Sequence, residues 1–297
     1  SDATLSGSAS FNSTVSGSSR GYCVVVGFAQ YAKEVVISLK DSHVALSGVA
    51  STNSSLVASA VSGQNVAAVG IAQLSILAAC DFDALASSLT IIGAALNNSK
   101  LQASTSIEAA VIGVAQWSSQ GQVSLSLIDS NMTVIGNASH GGSIVATASS
   151  VSAAIAVVMD SVAFKSTVAV AGSNITFVAA VVEGSTASAF STAYAAVVAG
   201  FATHGYAPSN AVFFLSNLTI FAFSQGHNSI IDARAIHYLA VVAGFAQTCA
   251  QASSVRMDRC STLISGTSLD GSNISAAALN FATVIGIAST CFGTSAR

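Results

Sequence analysis

The chain has 297 residues, of which 52% are hydrophobic and only 7% are charged, and its formal net charge is −3. Soluble proteins usually carry about 25% charged residues, so this chain must gain its solubility in another way. Its longest apolar runs, such as 195–202, are far shorter than the roughly 20 residues of a membrane-spanning helix. Its nine Lys and Arg residues form no basic stripe that could bind nucleic acid.

One short apolar phrase recurs along the chain, from VVGFAQ at 25–30 to VAGFAQ at 242–247. Its marker positions follow one another at nearly constant spacing: Gly27, Gly70, Gly113, Val157, Gly200, Gly244 and Gly286. A second series lies midway between these markers: Gly7, Gly48, Gly93, Gly136, Ala179, Ala222 and Gly266. Together the two series divide the chain into fourteen similar units, and regular spacing of this kind is typical of repeat architectures.

The residues of these units favour strands over helices. They are rich in Val, Ile, Thr, Ser, Phe and Gly, whereas paired helices prefer Leu, Glu, Lys and Arg. Short segments such as 123–129 (VSLSLID) also alternate with a period of two. The sequence therefore predicts an all-β protein: a parallel β-solenoid, or β-helix, of about 14 coils, with about 21–22 residues per coil and a two-coil repeat of about 43 residues.

We expect residues 1–297 to form a single β-solenoid domain, because the repeat continues from one end of the chain to the other. The domain is predicted to contain seven two-coil repeats, with approximate bounds 1–40, 41–84, 85–127, 128–170, 171–213, 214–257 and 258–297.

Eight N-x-[ST] sequons occur in the chain, although about three are expected by chance from 13 asparagines and about 24% Ser plus Thr. Each of the eight lies close to a midway marker: Asn12, Asn53, Asn97, Asn131, Asn137, Asn174, Asn217 and Asn273. We therefore predict covalent N-glycans on the midway coils. Sugars on alternate coils would be about 9–10 Å apart and would not collide.

The VVGFAQ-type coils carry no sequon and are apolar on both faces, as in 195–202 and 239–246. Strands with this pattern are usually buried on both sides. One face is expected to line the solenoid interior, and the other to meet another wall of the fold or another molecule.

The chain begins and ends in phase with the repeat, since SDATLSG at 1–7 corresponds to CSTLISG at 260–266. No signal peptide precedes Ser1, so the numbering is expected to begin at a mature terminus or inside a longer precursor. Solenoids usually carry polar caps, and none is evident here. The uncapped ends suggest end-to-end self-association into a filament, or a segment of a longer solenoid.

The five cysteines show neither a CxxC pair nor zinc-ligand spacing. On a secretory route some pairing is expected. Cys249 and Cys291 occupy equivalent positions, but two predicted coils separate them, which is too far for a bridge unless the coils deviate. Cys249 with Cys260 is a local alternative. The odd cysteine would form an intermolecular bond or remain buried as a small apolar residue.

The sequence predicts no catalytic and no cofactor-binding residues. Polysaccharide-cleaving β-helices need clustered carboxylates, and the closest pair here is Asp81 and Asp83, which is more typical of a solvated corner. No metal-binding or cofactor-binding residues are expected. An enzyme is the function that the sequence favours least.

The combination of DSNMTVIG (129–136) and AAVIGVAQ (109–116), with sequons in register, resembles the repetitive β-helical surface glycoproteins of kinetoplastid flagellates. That group includes the trypanosome dispersed gene family, and flagellar-hair or sheath filament subunits are related in style. The resemblance implies exposure at the cell surface rather than a catalytic centre. It transfers no functional residue to this chain.

The sequence thus favours a structural subunit of an extracellular or cell-surface glycosylated filament or coat. An adhesin or glycan-binding module is the alternative, with loops such as 203–210 presented to a ligand. An aromatic row on consecutive coils would favour that alternative. An ice-binding solenoid would require a flat threonine array. Thr133, Thr176 and Thr219 recur in step, but their sequons make glycosylation the simpler interpretation.

Overall fold

The computed structural model describes most of the chain. The described residues are 2–19, 23–32, 35–60, 65–75, 79–118, 121–149, 152–162, 165–193, 195–205, 209–249 and 253–291. Within them the protein consists of 27 β-strands joined by short corners.

The strands follow one another in groups of four, and each group forms one turn of a solenoid. Turn 1 comprises β1 (Asp2–Ser10), β2 (Thr14–Ser19), β3 (Cys23–Ala32) and β4 (Val35–Lys40). Turn 2 comprises β5 (His43–Ser51), β6 (Ser55–Ala60), β7 (Asn65–Ser75) and β8 (Cys80–Leu85). Turn 3 comprises β9 (Ser88–Leu96), β10 (Lys100–Thr105), β11 (Glu108–Ser118) and β12 (Gln122–Ile128). Turn 4 comprises β13 (Asn131–Ser139), β14 (Ser143–Ala148), β15 (Ser152–Val162) and β16 (Lys165–Ala171).

The last three turns repeat the same plan. Turn 5 comprises β17 (Asn174–Val182), β18 (Thr186–Ser191), β19 (Ala195–Gly205) and β20 (Ser209–Phe214). Turn 6 comprises β21 (Asn217–Gln225), β22 (Ile230–Ala235), β23 (Leu239–Cys249) and β24 (Ser253–Asp258). Turn 7 comprises β25 (Ser261–Leu269), β26 (Asn273–Ala278) and β27 (Phe281–Cys291).

Equivalent strands of successive turns pair in parallel and build four walls. The first strands of the turns form sheet A, the second strands sheet B and the third strands sheet C, with seven strands each. The fourth strands form the six-stranded sheet D. The structure therefore confirms a parallel β-solenoid.

Ladder pairing also shows how the predicted units combine. Asp2 pairs with His43, and Ser88 pairs with Asn131, so a full predicted repeat separates ladder partners. One complete turn thus contains two of the predicted units, as two halves of a single loop. The seven predicted repeats are seven turns, and the stacking step corresponds to a full repeat rather than to half of one.

The two marker series lie on opposite walls and face each other. A Cβ atom added at Gly48 in sheet A would collide with the side chain of Val69 in sheet C, and one at Gly93 would press on Ile112. The midway glycines therefore make room for branched side chains across a narrow interior.

In its middle strands, sheet C is buried on both faces by the chain itself. In β11, Val111, Ile112 and Val114 belong to the main core, whereas Ala110 and Ala115 belong to a second apolar cluster, and all five are fully buried. The second face of the VVGFAQ-type units therefore needs no other molecule to cover it. This explains their continuous apolar runs.

The glycine of the VVGFAQ phrase allows successive turns to approach each other. Gly70 has φ +151°, and a Cβ atom there would collide with the carbonyl oxygen of Gly113 in the next turn. Close to this glycine column, the buried Gln116 amide donates to the Cys80 and Ser124 carbonyls of sheet D. The recurrent phrase thus combines close backbone stacking with an anchor between sheets C and D.

A ladder of buried serines closes the corner between sheets D and A. The Ser130 hydroxyl donates to the Ile128 carbonyl at 2.7 Å and accepts the Ser87 backbone N–H at 3.1 Å. Ser42, Ser87, Ser173 and Ser216 continue the same column. Each serine satisfies backbone groups that the corner would otherwise leave unpaired.

Candidate functional surfaces

Three sequons lie at the corner between sheets A and B in consecutive turns. Asn12, Asn53 and Asn97 are exposed and have φ values of 61°, 56° and 54°. Asparagine tolerates this left-handed conformation better than most residues. The nearby corner serines Ser54 and Ser99 are buried in a second serine ladder, in which Ser54 N–H donates to Ser99 Oγ at 3.0 Å.

Three further sequons begin the sheet A strands of turns 4, 5 and 6. Asn131, Asn174 and Asn217 are direct ladder partners, and all three are exposed. The Asn174 amide donates to Asn131 Oδ1 at 2.9 Å, and the Asn217 amide donates to Asn174 Oδ1 at 2.7 Å. The three side chains therefore form a continuous hydrogen-bonded ladder along the outside of the solenoid.

The last two sequons do not belong to these columns. Asn137 lies half-buried on the outward side of β13, and Asn273 is exposed at the start of β26. Glycosylation of all eight asparagines stays a prediction.

The register of the strands shows that sugars on equivalent sequons would be closer together than the sequence predicted. Because one repeat is one turn, equivalent sequons are separated by a single ladder step of about 4.8 Å, rather than by about 9–10 Å. Sugars on neighbouring members of a column would collide. The sequons lie on sheets A and B and their corners because those walls face outward, whereas sheet C is enclosed.

Much of the sequon excess has a structural cause. The sequon of Asn97 is completed by the ladder serine Ser99. The sequons of the strand-opening asparagines Asn131, Asn174 and Asn217 are completed by outward threonines of sheet A. These four sequons therefore arise without reference to sugar. The serine ladders were not predicted from the sequence, although Ser87, Ser130, Ser173 and Ser216 recur with a constant sequence separation of 43. That spacing was the available signal.

The outward threonines form a longer column than the sequons do. Thr90, Thr133, Thr176 and Thr219 are consecutive ladder partners on sheet A. Thr4 lies in the same column at turn 1, with Ala45 between. Thr90 and Thr4 belong to no sequon, so the column does not follow from glycosylation.

This chain matches no known family model, no curated protein and no solved structure. Its functional assignment therefore rests on its own residues and surfaces.

The prediction that two coils separate Cys249 from Cys291 is wrong. They are direct partners on the adjacent strands β23 and β27. Cys260 lies at the D–A corner, where its thiol takes the place of a ladder serine and donates to the Asp258 carbonyl. Cys23 and Cys260 are free thiols, the buried Cys80 sulfur lies 3.9 Å from the Gln116 amide that donates to it, and burial raises the pKa of the Cys23 thiol.

We expect Cys249 and Cys291 to form a disulfide in protein purified without reductant. Paired strands place Cα atoms about 4.8 Å apart, within the range that a disulfide spans. Peptide mapping should find these two cysteines linked, and reduction should lower the free energy of unfolding by about 2 kcal/mol. The Cys260→Ser variant should retain the link. A Cys249–Cys260 peptide, or a free Cys249, would contradict this pairing.

Asp81 and Asp83 are half-buried on the outward side of β8 in sheet D, so the prediction of a solvated corner residue at Asp83 is wrong. The Ser124 hydroxyl of the next turn donates to Asp81 at 2.5 Å. Burial raises the pKa of Asp83, and the charge of Asp81 raises it further. Among the described residues, no group of three or more His, Cys, Asp or Glu side chains could hold a metal ion.

The proposed ligand-presenting loop 203–210 is described only at its edges. Residues 203–205 end β19 and residues 209–210 begin β20, whereas 206–208 lie outside the described residues. In the part of the chain that is described, no helix has the length and apolar character needed to cross a membrane.

The two ends of the stack expose positions that are buried in the neighbouring turn. Ile287 in turn 7 is 52% exposed, whereas its ladder partner Phe245 is 1% exposed. At the other end Phe28 is 38% exposed, and its partner Ile71 is 2% exposed. Within the described residues, core-column positions are therefore exposed in turns 1 and 7.

Proposed function

We propose that the protein is a structural subunit of an extracellular filament or surface coat, assembled by end-to-end stacking of solenoids. The observation that supports this proposal most strongly is that core-column positions in turns 1 and 7 of the described chain are exposed, so that a second copy, or further turns of a longer solenoid, could stack on them. Inward columns that are buried in the middle turns open to solvent in turns 1 and 7. A second copy would continue each column with side chains of the same kind.

The first turn also offers space for an incoming end. A cavity of about 400 Å³ opens there between β1, β3 and β4, and its lining includes Ala3, Phe28, Val36 and Val44. Exposed apolar side chains at the last turn, including Leu263, Phe281 and Ile285, are of the type that would fill it.

Backbone pairing would add to these apolar contacts. Among the described residues, the strands of the first and last turns have a ladder partner on one side only, and their other edge can pair with another chain. Because the first-turn surface differs from the last-turn surface, the contact is head-to-tail. A head-to-tail contact between the two ends of straight rods stacks them along one axis and so extends into a filament.

A pair of blocking variants tests this assembly. Phe28→Lys places a charge on the first-turn surface, and Ile287→Lys places one on the last-turn surface. Burying either unpaired charge is costly, so each variant alone should remain monomeric in light scattering and electron microscopy. An equal mixture of the two should form dimers through the two unmodified ends.

The matched control is Ser188→Lys, which places the same charge on the outward side of sheet B, away from either end. This variant should assemble as the unmodified chain does. Isolated rods of one length from the unmodified chain at high concentration would refute the proposal, and so would filaments formed by both end variants.

N-glycans at the outer corners would keep a rod with so few charged residues in solution. Asn12, Asn53, Asn97 and Asn273 suit this role because all four are exposed and lie off the broad outer face of sheet A. The single ladder step between turns allows sugars on Asn12 and Asn97 together, but not on Asn53 beside them. Peptide-resolved mass spectrometry of protein from its native source tests this pattern.

The alternative function, an adhesin or glycan-binding module, would be favoured by an outward row of aromatic side chains. Among the described residues, no outward column carries aromatic side chains on successive turns.

A further inference from the structure

The outward face of sheet A carries two neighbouring polar columns in register. The first column contains Ser88, Asn131, Asn174 and Asn217, and the second contains Thr90, Thr133, Thr176 and Thr219. Members of one column are about 4.8 Å apart, and the two columns are about 6.7 Å apart, which is two residues along a strand. Together they form a regular grid of eight polar side chains.

The grid is held in one arrangement before any partner binds. The Asn174 and Asn217 amides each donate to the asparagine of the preceding turn, which fixes the orientation of the amides along the column. Threonine is stiff at χ1 because its Cβ is branched. Residues in register over the whole length of β9, β13 and β17 keep the columns straight. Little conformational entropy therefore remains to be lost on binding.

The four strands that carry the grid, β9, β13, β17 and β21, contain no Asp, Glu, Lys, Arg or His. His43 of the preceding turn extends the first column, where its Nδ1 lies 2.7 Å from Ser88 Oγ. Beside the threonines runs a third column of half-buried apolar side chains, which includes Ile92, Ile135 and Val178. This surface offers hydroxyl groups, amides and methyl groups, and no ion that would hold its own hydration shell.

We propose that this face binds the surface of ice crystals. In ice, two O–H···O bonds of about 2.75 Å meet at a tetrahedral angle, so alternate oxygens lie about 4.5 Å apart. The ladder step of about 4.8 Å agrees with this spacing to within about a tenth. Hydroxyl and amide groups at that period can continue the hydrogen bonds of the lattice, and the intervening methyl groups do not compete for its water.

Other periodic partners fit this face less well. Binding to a crystalline polysaccharide commonly uses a row of aromatic rings stacked on sugar faces, whereas this face carries aromatic rings in turn 6 only, Phe221 and Phe223 of β21, and none in the grid columns. A second copy of the sheet would have to remove water from eight polar groups. The column also extends to Thr90, which lies outside any sequon, so glycosylation does not account for it.

Ice shaping and thermal hysteresis test the proposal directly. Unglycosylated recombinant protein should show faceted crystals and a gap between melting and freezing that an equal concentration of serum albumin does not show. Thr133→Lys and Thr176→Lys place a long charged side chain inside the grid, and each should reduce the hysteresis about tenfold or more. Both variants should keep the β-sheet circular dichroism spectrum.

The control variant Ser188→Lys lies in the same turn as Thr176 but on sheet B, and it should retain full hysteresis. End-to-end assembly should be unchanged in all three variants, so the outcome is independent of filament formation. Absence of hysteresis in the unmodified protein would overturn the proposal. Equal loss in Ser188→Lys, or sugars on Asn131, Asn174 and Asn217 of native protein, would do the same.

Discussion

Replacing Gly70 with alanine is expected to lower the free energy of unfolding by about 3–5 kcal/mol. Gly70 has φ +151°, a conformation that residues with a Cβ rarely adopt, and its Cβ would collide with the Gly113 carbonyl of the next turn. The backbone oxygen cannot move aside without breaking the ladder of sheet C. Denaturant titration followed by circular dichroism measures the loss.

Gly136→Ala provides the matched control, because Gly136 lies in the sheet A series and has no positive φ. A Cβ there would approach the tip of the Ile112 side chain at 3.1 Å, and a flexible side chain can adjust. The expected cost is about 1 kcal/mol or less. Equal losses in the two variants would show that the close approach of turns in sheet C is not what requires glycine.

Replacing Phe201 with alanine should cost about 3–5 kcal/mol. The Phe201 ring is fully buried and contacts three others, with centroid distances of 4.8 Å to Phe177, 5.8 Å to Phe213 and 5.0 Å to Phe245. Alanine would leave a cavity that the rigid ladders on each side prevent from closing, and it would remove three ring pairs. Denaturant titration again gives the value.

Phe223→Ala is the comparison for this variant. Phe223 lies half-exposed on the outward side of β21 and stacks on Phe221 at 6.0 Å, so its loss should cost about 1 kcal/mol or less. If the two phenylalanines were equally costly to remove, the buried aromatic cluster would not be a major source of stability in turns 5 and 6.

Some of the fold follows from local chemistry and was predictable. The β-rich composition and the regular repeat indicate a parallel solenoid, because stacked identical loops are the arrangement in which each residue meets its own kind. The sequence spacing predicts that Val157 is equivalent to the marker glycines. The structure confirms this, because Val157 pairs with Gly113 and Gly200. Periodicity carries this information because ladder register preserves spacing along the chain.

The size of one turn could not be obtained from the same pattern. The two similar units of one repeat can form two stacked turns, or they can form opposite walls of a single turn. Both arrangements give the same spacing of marker residues along the sequence. Packing across the interior decides between them. Gly48 faces Val69 and Gly93 faces Ile112. In turns 5 and 6 the equivalent columns instead hold alanine on both walls, Ala179 and Ala222 in sheet A and Ala199 and Ala243 in sheet C.

The candidate surfaces divide in the same way. The eight sequons are visible in the sequence, but the hydrogen-bonded ladder of Asn131, Asn174 and Asn217 appears only when successive turns are in register. The neighbouring threonine column likewise gains its significance from Thr90, which no sequence motif singles out. Cys249 and Cys291 become partners for the same reason.

By itself the sequence determined the class of fold, the seven-fold repetition and the scarcity of charge, because these depend on composition and on spacing along one chain. Only the tertiary structure decided which units share a turn, which face of each strand is enclosed and which side chains are neighbours. Those features depend on contacts between residues a full repeat apart. Stacking the strands at half a repeat instead would leave the local sequence pattern unchanged but would give every strand a different ladder partner.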